Sequence, residues 1–227
     1  MAATRTYDDG CAAAHALDLV GERWALLVVR ELLLGPKRFT DLRAGLPGVS
    51  PNVLAQRLRK LEGAGVVRRR KLLPPAASRI YELTDWGEEL EPVVISLGRW
   101  GARSPLRPRD AALGVDSLVL SLRTMFDPRA AKGIKASYEL RLGEDIFRAE
   151  VADDRFEISR GNAGGAERPD ATIEAGPATL AALIYGGRKL PEALRSGEVE
   201  IGGNAEAAER FLTLFPLPEP ASHIAGA

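Results

Sequence analysis

The segment from Ser50 to Ala64 carries the side chains best suited to recognition chemistry. At about 100° per residue, Leu54, Leu58 and Leu61 fall on one narrow face, and Asn52, Gln56, Arg59 and Lys60 fall roughly opposite. Ser50, Pro51 and Arg57 complete the candidate set. One side is apolar and can be anchored; the other offers amides and cations with no carboxylate among them. Asn and Gln can bond adenine in bidentate fashion, Arg can bond guanine, and Lys and Arg neutralise phosphates. The competing explanation is an ordinary amphipathic surface helix, whose outer face is usually mixed in sign.

The elements around this segment decide between the two. Ser50 is a natural N-cap with Pro51 at the first helical position, and Gly65 is a natural stop. Upstream, 11–20 and 22–34 read as helices separated by Gly21, the second apolar on nearly every side. Phe39 to Leu46 reads as a short helix and Pro47-Gly48 as a turn, so the order is helix, turn, helix. Downstream, Val66–Lys71 and Arg79–Leu83 are β-prone and flank a loop with Pro74-Pro75-Ala76-Ala77 at its tip. That hairpin carries Arg68, Arg69, Arg70 and Lys71 on one strand and Arg79 on the other. A basic hairpin after such a helix reads as a wing that lies along the phosphate backbone or reaches the minor groove; an edge strand guarded by cations is the alternative, and it leaves the order of the elements unexplained. Thr84 and Asp85 can cap a last helix, with Glu88 completing a capping box. Its apolar stripe is Leu90, Val93, Val94, Leu97 and Trp100, and Pro92 is expected to kink it.

The proline-rich, charged stretch Gly101–Asp110 reads as a linker, giving a domain over 1–101, a linker over 102–111, a second domain over 112–216 and a tail over 217–227. In the second domain a helix at Asp116–Phe126 precedes three alternating runs around Tyr138–Leu142, Phe147–Val151 and Phe156–Ile158, which suggest a β-meander. A strand at 171–175, helices at 177–185 and 189–196, a strand at 199–201 and a helix at 204–214 follow. The fold class is α+β: a winged helix-turn-helix followed by a small α+β domain.

Composition narrows the classes further. Net charge is zero over 227 residues, yet 1–110 hold 18 Lys+Arg against 13 Asp+Glu, a net of +5, and the remainder carries −5. Such asymmetry suits a chain of which only one half meets a polyanion. A single cysteine, Cys11, excludes an intrachain disulfide and fits a reducing cytoplasm. Met1–Gly10 has no apolar stretch, so no signal peptide is read there, and no apolar run reaches membrane-spanning length. The protein is expected to be cytosolic, with no membrane partner. The two histidines, His15 and His223, form no metal cluster, and no nucleophile–base pair can be assembled. Gly186-Gly187-Arg188-Lys189 lacks the spacing of a phosphate loop, and Gly161-Asn162-Ala163-Gly164-Gly165 reads as a plain loop. Neither an enzyme nor a cofactor is expected.

Residues 11–101 resemble the HxlR family of winged-helix regulators. The resemblance rests on Cys11, Leu17–Trp24, Arg38–Leu42, Ser50–Leu54, Arg57–Glu62, Gly65–Val67, Tyr81–Thr84, Gly87 and Trp100-Gly101. It implies a homodimer, joined through the first and last helices of this domain, on a pseudo-palindromic operator in double-stranded DNA. Ala12-Ala13 stand where the family usually shows a proline, and the wing tip also differs. Some members use a cysteine at the place of Cys11 to sense oxidants or electrophiles. Against that, no Lys or Arg lies within four residues of Cys11, and the favoured reading is a small buried residue of the dimer helix.

Residues 112–216 resemble the sterol-carrier-protein fold through Pro169–Ile173, Leu180, Leu183, Gly186, Gly197–Asn204 and Phe211. This resemblance implies an apolar pocket, for which Leu118, Leu122, Phe147, Phe156, Leu183 and Phe211 are the candidate lining. A plain core without a cavity uses the same residues. The expected protein is a homodimeric DNA-binding repressor, with an apolar small molecule as its effector. The alternative is a lipid carrier that uses the winged helix only for interaction or dimerisation.

Overall fold

The computed structural model describes residues 6–72, 78–108, 113–161 and 168–222. The wing tip at 73–77 and His223 lie outside them. The chain divides into two compact units, Met1–Val94 and Ile95–Ala227.

The first unit opens with α1 (Ala12–Val20) and α2 (Ala25–Leu32). Trp24, at the N-cap of α2, has φ +78°, a left-handed conformation that costs a bulky residue roughly 1–2 kcal/mol. Glu31 of α2 is buried, and its carboxylate takes Arg30 Nη2 at 2.8 Å and Lys37 Nζ at 2.6 Å. Lys37 lies on β1 (Lys37–Arg38), a two-residue strand too short to be legible in the sequence. Then come α3 (Phe39–Gly45), α4 (Pro51–Gly63), β2 (Val67–Lys71) and β3 (Arg79–Leu83). The three strands form an antiparallel sheet in the order β1-β3-β2. The core gathers Val28 and Val29 of α2, Leu42 of α3, Leu54, Leu58 and Leu61 of α4, and Val66, Val67 and Leu83 at the base of the hairpin.

The expected last helix is two helices, α5 (Asp85–Glu88) and α6 (Glu91–Ala102). Pro92 therefore lies in the first turn of α6, where a missing N–H breaks no intrahelical bond, and it does not kink a longer helix. The cap of α5 is Thr84 alone, whose Oγ1 accepts from Gly87 N at 3.0 Å; the expected box at Asp85 is absent from its geometry.

In the second unit α7 (Val115–Met125) precedes β4 (Ala136–Leu142), β5 (Asp145–Ala152), β6 (Arg155–Arg160) and β7 (Ala171–Ala175). After them come α8 (Pro177–Tyr185), α9 (Leu190–Arg195), β8 (Val199–Gly203) and α10 (Ala205–Leu212). The sheet order is β6-β5-β4-β7-β8: β4 to β6 form the meander, while β7 returns parallel to β4. Tyr138, Leu140, Phe147, Ala149, Ile158, Ala171 and Ile173 share the buried face. Glu139, Arg141, Arg148, Glu150, Glu157, Glu174 and Glu200 share the other. This alternation is what a sheet covered on one side requires.

Candidate nucleic-acid interface

The geometry of α4 begins at its cap. Ser50 Oγ accepts from Val53 N at 3.3 Å, and Pro51 occupies the first turn. Gly65, just past the end, has φ +73°, which a side chain would resist. Leu54, Leu58 and Leu61 are 0%, 1% and 1% exposed. Their burial contributes about 1.5–3 kcal/mol each and fixes the rotation of the helix. Asn52, Gln56 and Arg59 consequently face outward and are exposed.

Two other cations of α4 are already engaged. Glu22, in the turn between α1 and α2, pairs with both Arg57 and Lys60. Arg57 Nε also donates to the Arg23 carbonyl at 2.8 Å, and burial lowers the pKa of its guanidinium. Only 13% of the Arg57 side chain is exposed. The outward, unengaged polar row is thus Asn52, Gln56 and Arg59. A helical wheel alone puts Lys60 in the same group, because the wheel cannot see a carboxylate delivered from residue 22.

The wing divides its cations by the pleat. Directly opposed residues share a face, and neighbours along a strand alternate. Arg68 is opposite Glu82 and Arg70 opposite Ile80; Arg69 is opposite Tyr81 and Lys71 opposite Arg79. On the first face Arg68 Nε reaches Glu82 Oε1 at 2.8 Å and Arg70 Nη2 reaches Oε2 at 3.0 Å. These bonds, that from Arg70 foremost, hold the Glu82 carboxyl below the usual carboxylate range, and Glu82 raises the Arg68 guanidinium in turn. On the second face Arg69 lies 3.7 Å from Glu62 of α4, while Lys71 and Arg79 stand opposite each other with no ion pair among the described residues. Like charges directly opposed destabilise a hairpin, and an anion between them relieves that cost. This face also carries Val67, Tyr81 and Leu83, which pack into the core with α4.

Cys11 is exposed in the single chain, at the N-cap of α1. Backbone N–H groups of Ala14 and Ala13 lower its thiol pKa. The donors are amides of the helix terminus and not a neighbouring cation.

In the second unit the six candidate lining residues all face the interior: Leu118, Leu122, Phe147 and Phe211 are fully buried, Leu183 nearly so and Phe156 partly. Phe156 lies in an aromatic group with Phe126 at 5.3 Å and Phe215 at 5.2 Å between ring centroids, and Phe211 stands 5.0 Å from Phe215 and 4.7 Å from Tyr138. Phe147 lies under the Arg160 guanidinium at 4.7 Å, and Arg160 pairs with the buried Asp116. The Ser121 and Tyr185 hydroxyls meet at 3.0 Å between α7 and α8, and burial pushes the Tyr185 phenol up to about 12. The first unit has an apolar cleft, lined by Ala16, Leu19, Val20, Val66, Trp86 and Leu90 with Glu89 beside it, which periodicity did not reveal. Among the described residues no group of His, Cys, Asp and Glu is arranged to hold a metal, and no helix is long and apolar enough to cross a membrane.

A capped polar-faced helix, preceded by a short helix and turn and followed by a basic hairpin, defines a winged helix-turn-helix. The family profile described as HxlR-like helix-turn-helix matches residues 19–107, and that of the SCP-2 sterol transfer family matches residues 123–216. The HTH-type transcriptional regulator YvaP of Bacillus subtilis, itself uncharacterised, is 42% identical over 86 residues, which span 37% of this chain and 79% of YvaP. The HTH-type transcriptional regulator YodB of the same organism is 36% identical over 85 residues, spanning 37% of this chain and 76% of YodB. The solved reduced form of YodB aligns at 33% identity and a TM-score of 0.39, covering 42% of this chain and 95% of that one. The chain belongs to the HxlR-like helix-turn-helix family and carries an SCP-2 domain in its second half. It is a transcriptional regulator of the HxlR type.

Proposed function

We propose that the protein is a homodimeric repressor. It reads a pseudo-palindromic operator with Asn52, Gln56 and Arg59 of α4 in the major groove, and it grips flanking phosphates with Arg69, Lys71 and Arg79 of the wing. The observation that carries this reading is the rotation of α4, with three leucines buried and the amide-and-cation row exposed. Ser50 and Pro51 set the helix start against the backbone, where the Asn52 N–H of the first turn can meet a phosphate, since Val53 N and Leu54 N already bond Ser50. Arg68 and Arg70 are secondary, since the Glu82 they share already offsets one of their two charges. Arg57 and Lys60 are held within the protein by Glu22.

The dimer reading is supported by exposed apolar side chains on the first and last helices of the domain: Leu17 on α1, and Val93, Leu97 and Trp100 at helical spacing on α6. The repressor reading follows from economy: occupying a site suffices to block it. The second domain is assigned to effector control by an apolar molecule, supported by its match to the SCP-2 sterol transfer family. Such a molecule must bind the DNA-competent and incompetent dimers with different affinity. Cys11, exposed with a lowered thiol pKa, is the candidate for redox input. The domain limits proposed are 1–101 and 112–216.

The test is fluorescence anisotropy on a duplex enriched by the protein from a random library. Gln56→Ala should weaken that duplex by about 1–3 kcal/mol, because a bidentate bond to one base is removed, and should relax preference at one base pair per half-site. Equal affinity of both proteins across all single-base variants of the duplex would sink the reading.

A further inference from the structure

The turn between α1 and α2 touches the recognition helix in a way that base-reading does not require. Three successive residues of this turn reach α4 or the turn before it. The Glu22 carboxylate engages Arg57 through one oxygen and Lys60 through the other. The Arg23 carbonyl accepts Arg57 Nε at 2.8 Å. The Trp24 ring lies beside Gly48, in the turn that launches α4. Trp24 holds its left-handed backbone with the Arg23 guanidinium 5.2 Å over its ring. The turn therefore touches the turn before α4 and grips the helix itself about two and three turns along, at Arg57 and Lys60.

We propose that Glu22 is a positioning residue that sets DNA specificity: it sequesters Arg57 and Lys60 from the phosphate backbone and fixes the angle at which α4 enters the groove. The proposal rests on the DNA-binding reading above. Its logic is electrostatic. A cation that neutralises a phosphate releases a counterion and strengthens binding to every sequence alike. A cation paired inside the protein does neither. By engaging two of the cations on α4, Glu22 lowers the indiscriminate part of the affinity and leaves Asn52, Gln56 and Arg59 to discriminate. Arg57 and Lys60 lie three residues apart on one flank of the helix, so a single carboxylate spans both.

The experiment uses the full chain as wild type, Glu22→Gln and Arg57→Met. Each is titrated against the library-enriched duplex and against a shuffled duplex of the same composition, over a range of salt. Glu22→Gln should bind the shuffled duplex more tightly, with a salt slope steeper by about 0.9 for each cation released. It should bind the enriched duplex more weakly, so that discrimination falls about tenfold. Arg57→Met should leave the wild-type salt slope unchanged, because that cation neutralises no phosphate. A parallel gain on both duplexes at constant discrimination would reduce Glu22 to a nearby negative charge and overturn the proposal, as would a loss of slope in Arg57→Met. Backbone amide exchange over residues 52–60, measured without DNA, should be faster in Glu22→Gln; unchanged exchange overturns the clamp whatever the DNA result. A wild type that enriches no duplex would remove the DNA-binding reading itself, while the exchange measurement continues to judge the clamp.

Discussion

Helices α4 and α6 have similar amphipathic patterns and opposite fates. In α4 the apolar row is buried and the polar row looks out. In α6 no residue is buried, and Val93, Leu97 and Trp100 are 45%, 48% and 76% exposed. Pattern alone therefore does not say which face of a helix carries the function. A helix whose stripe is satisfied within its own chain offers its polar face to a ligand. One whose stripe is left open offers its apolar face to another surface.

The largest expected effect breaks the first half of that comparison. Leu58→Ala should cost about 3 kcal/mol of stability, since the site is closed on all sides and a cavity remains. Gln56→Ala, two residues away on the outer face, should stay within about 0.5 kcal/mol. Urea unfolding followed by tryptophan fluorescence measures both, and equal midpoints for the two variants would show that α4 is not anchored by its leucines.

The second half is tested at α6. Replacing Leu97 and Trp100 together by Asp should weaken self-association about a hundredfold, equivalent to about 2.7 kcal/mol, because large apolar anchors dominate interfaces. The far-ultraviolet circular dichroism should be retained, since neither side chain is buried within the chain. Sedimentation equilibrium across a concentration series checks it, and an unchanged dimer fraction would move the interface elsewhere.

Much of this was legible in the residues themselves. Ser50-Pro51 and Gly65 mark both ends of α4, and the leucine spacing marks its buried side, because capping and periodicity are local. The division of α5 from α6 was not legible: Pro92 signals either a kink or a start, and only the turn at Glu89-Leu90 decides. Nor were the long-range pairs. Glu22 meets Arg57 and Lys60 across more than thirty positions of sequence, so no window of the chain shows that two cations of the recognition helix are engaged. Asp116 in the second unit presents the same difficulty: it reads as a helix-start residue, and it is buried because Arg160 reaches it from β6.

The wing supplies the smallest and most discriminating test, since the comparison of faces applies within one hairpin. Arg68 and Arg70 share a face with Glu82, and Arg69, Lys71 and Arg79 share the other with the side of α4 that carries Glu62. If the second face meets the phosphates, Lys71→Ala with Arg79→Ala should reduce the magnitude of the logarithmic salt slope by about 1.8, at about 0.9 for each phosphate no longer neutralised. The weakening should be uniform across DNA sequences, because bonds to phosphate carry no base information. Arg68→Ala with Arg70→Ala removes the same formal charge, yet it should change the slope by less, since Glu82 offsets one of those two charges before DNA arrives. That variant instead releases the Glu82 carboxyl, whose pKa should rise toward its ordinary value once both partners are gone. The stability those bonds contribute is present above the ordinary carboxylate pKa and is lost as pH falls through the depressed one, so the wild type alone should lose it in that acidic window. Equal slope changes for the two double variants would mean that both faces of the hairpin reach the backbone, and the pleat would then have no part in sorting the cations.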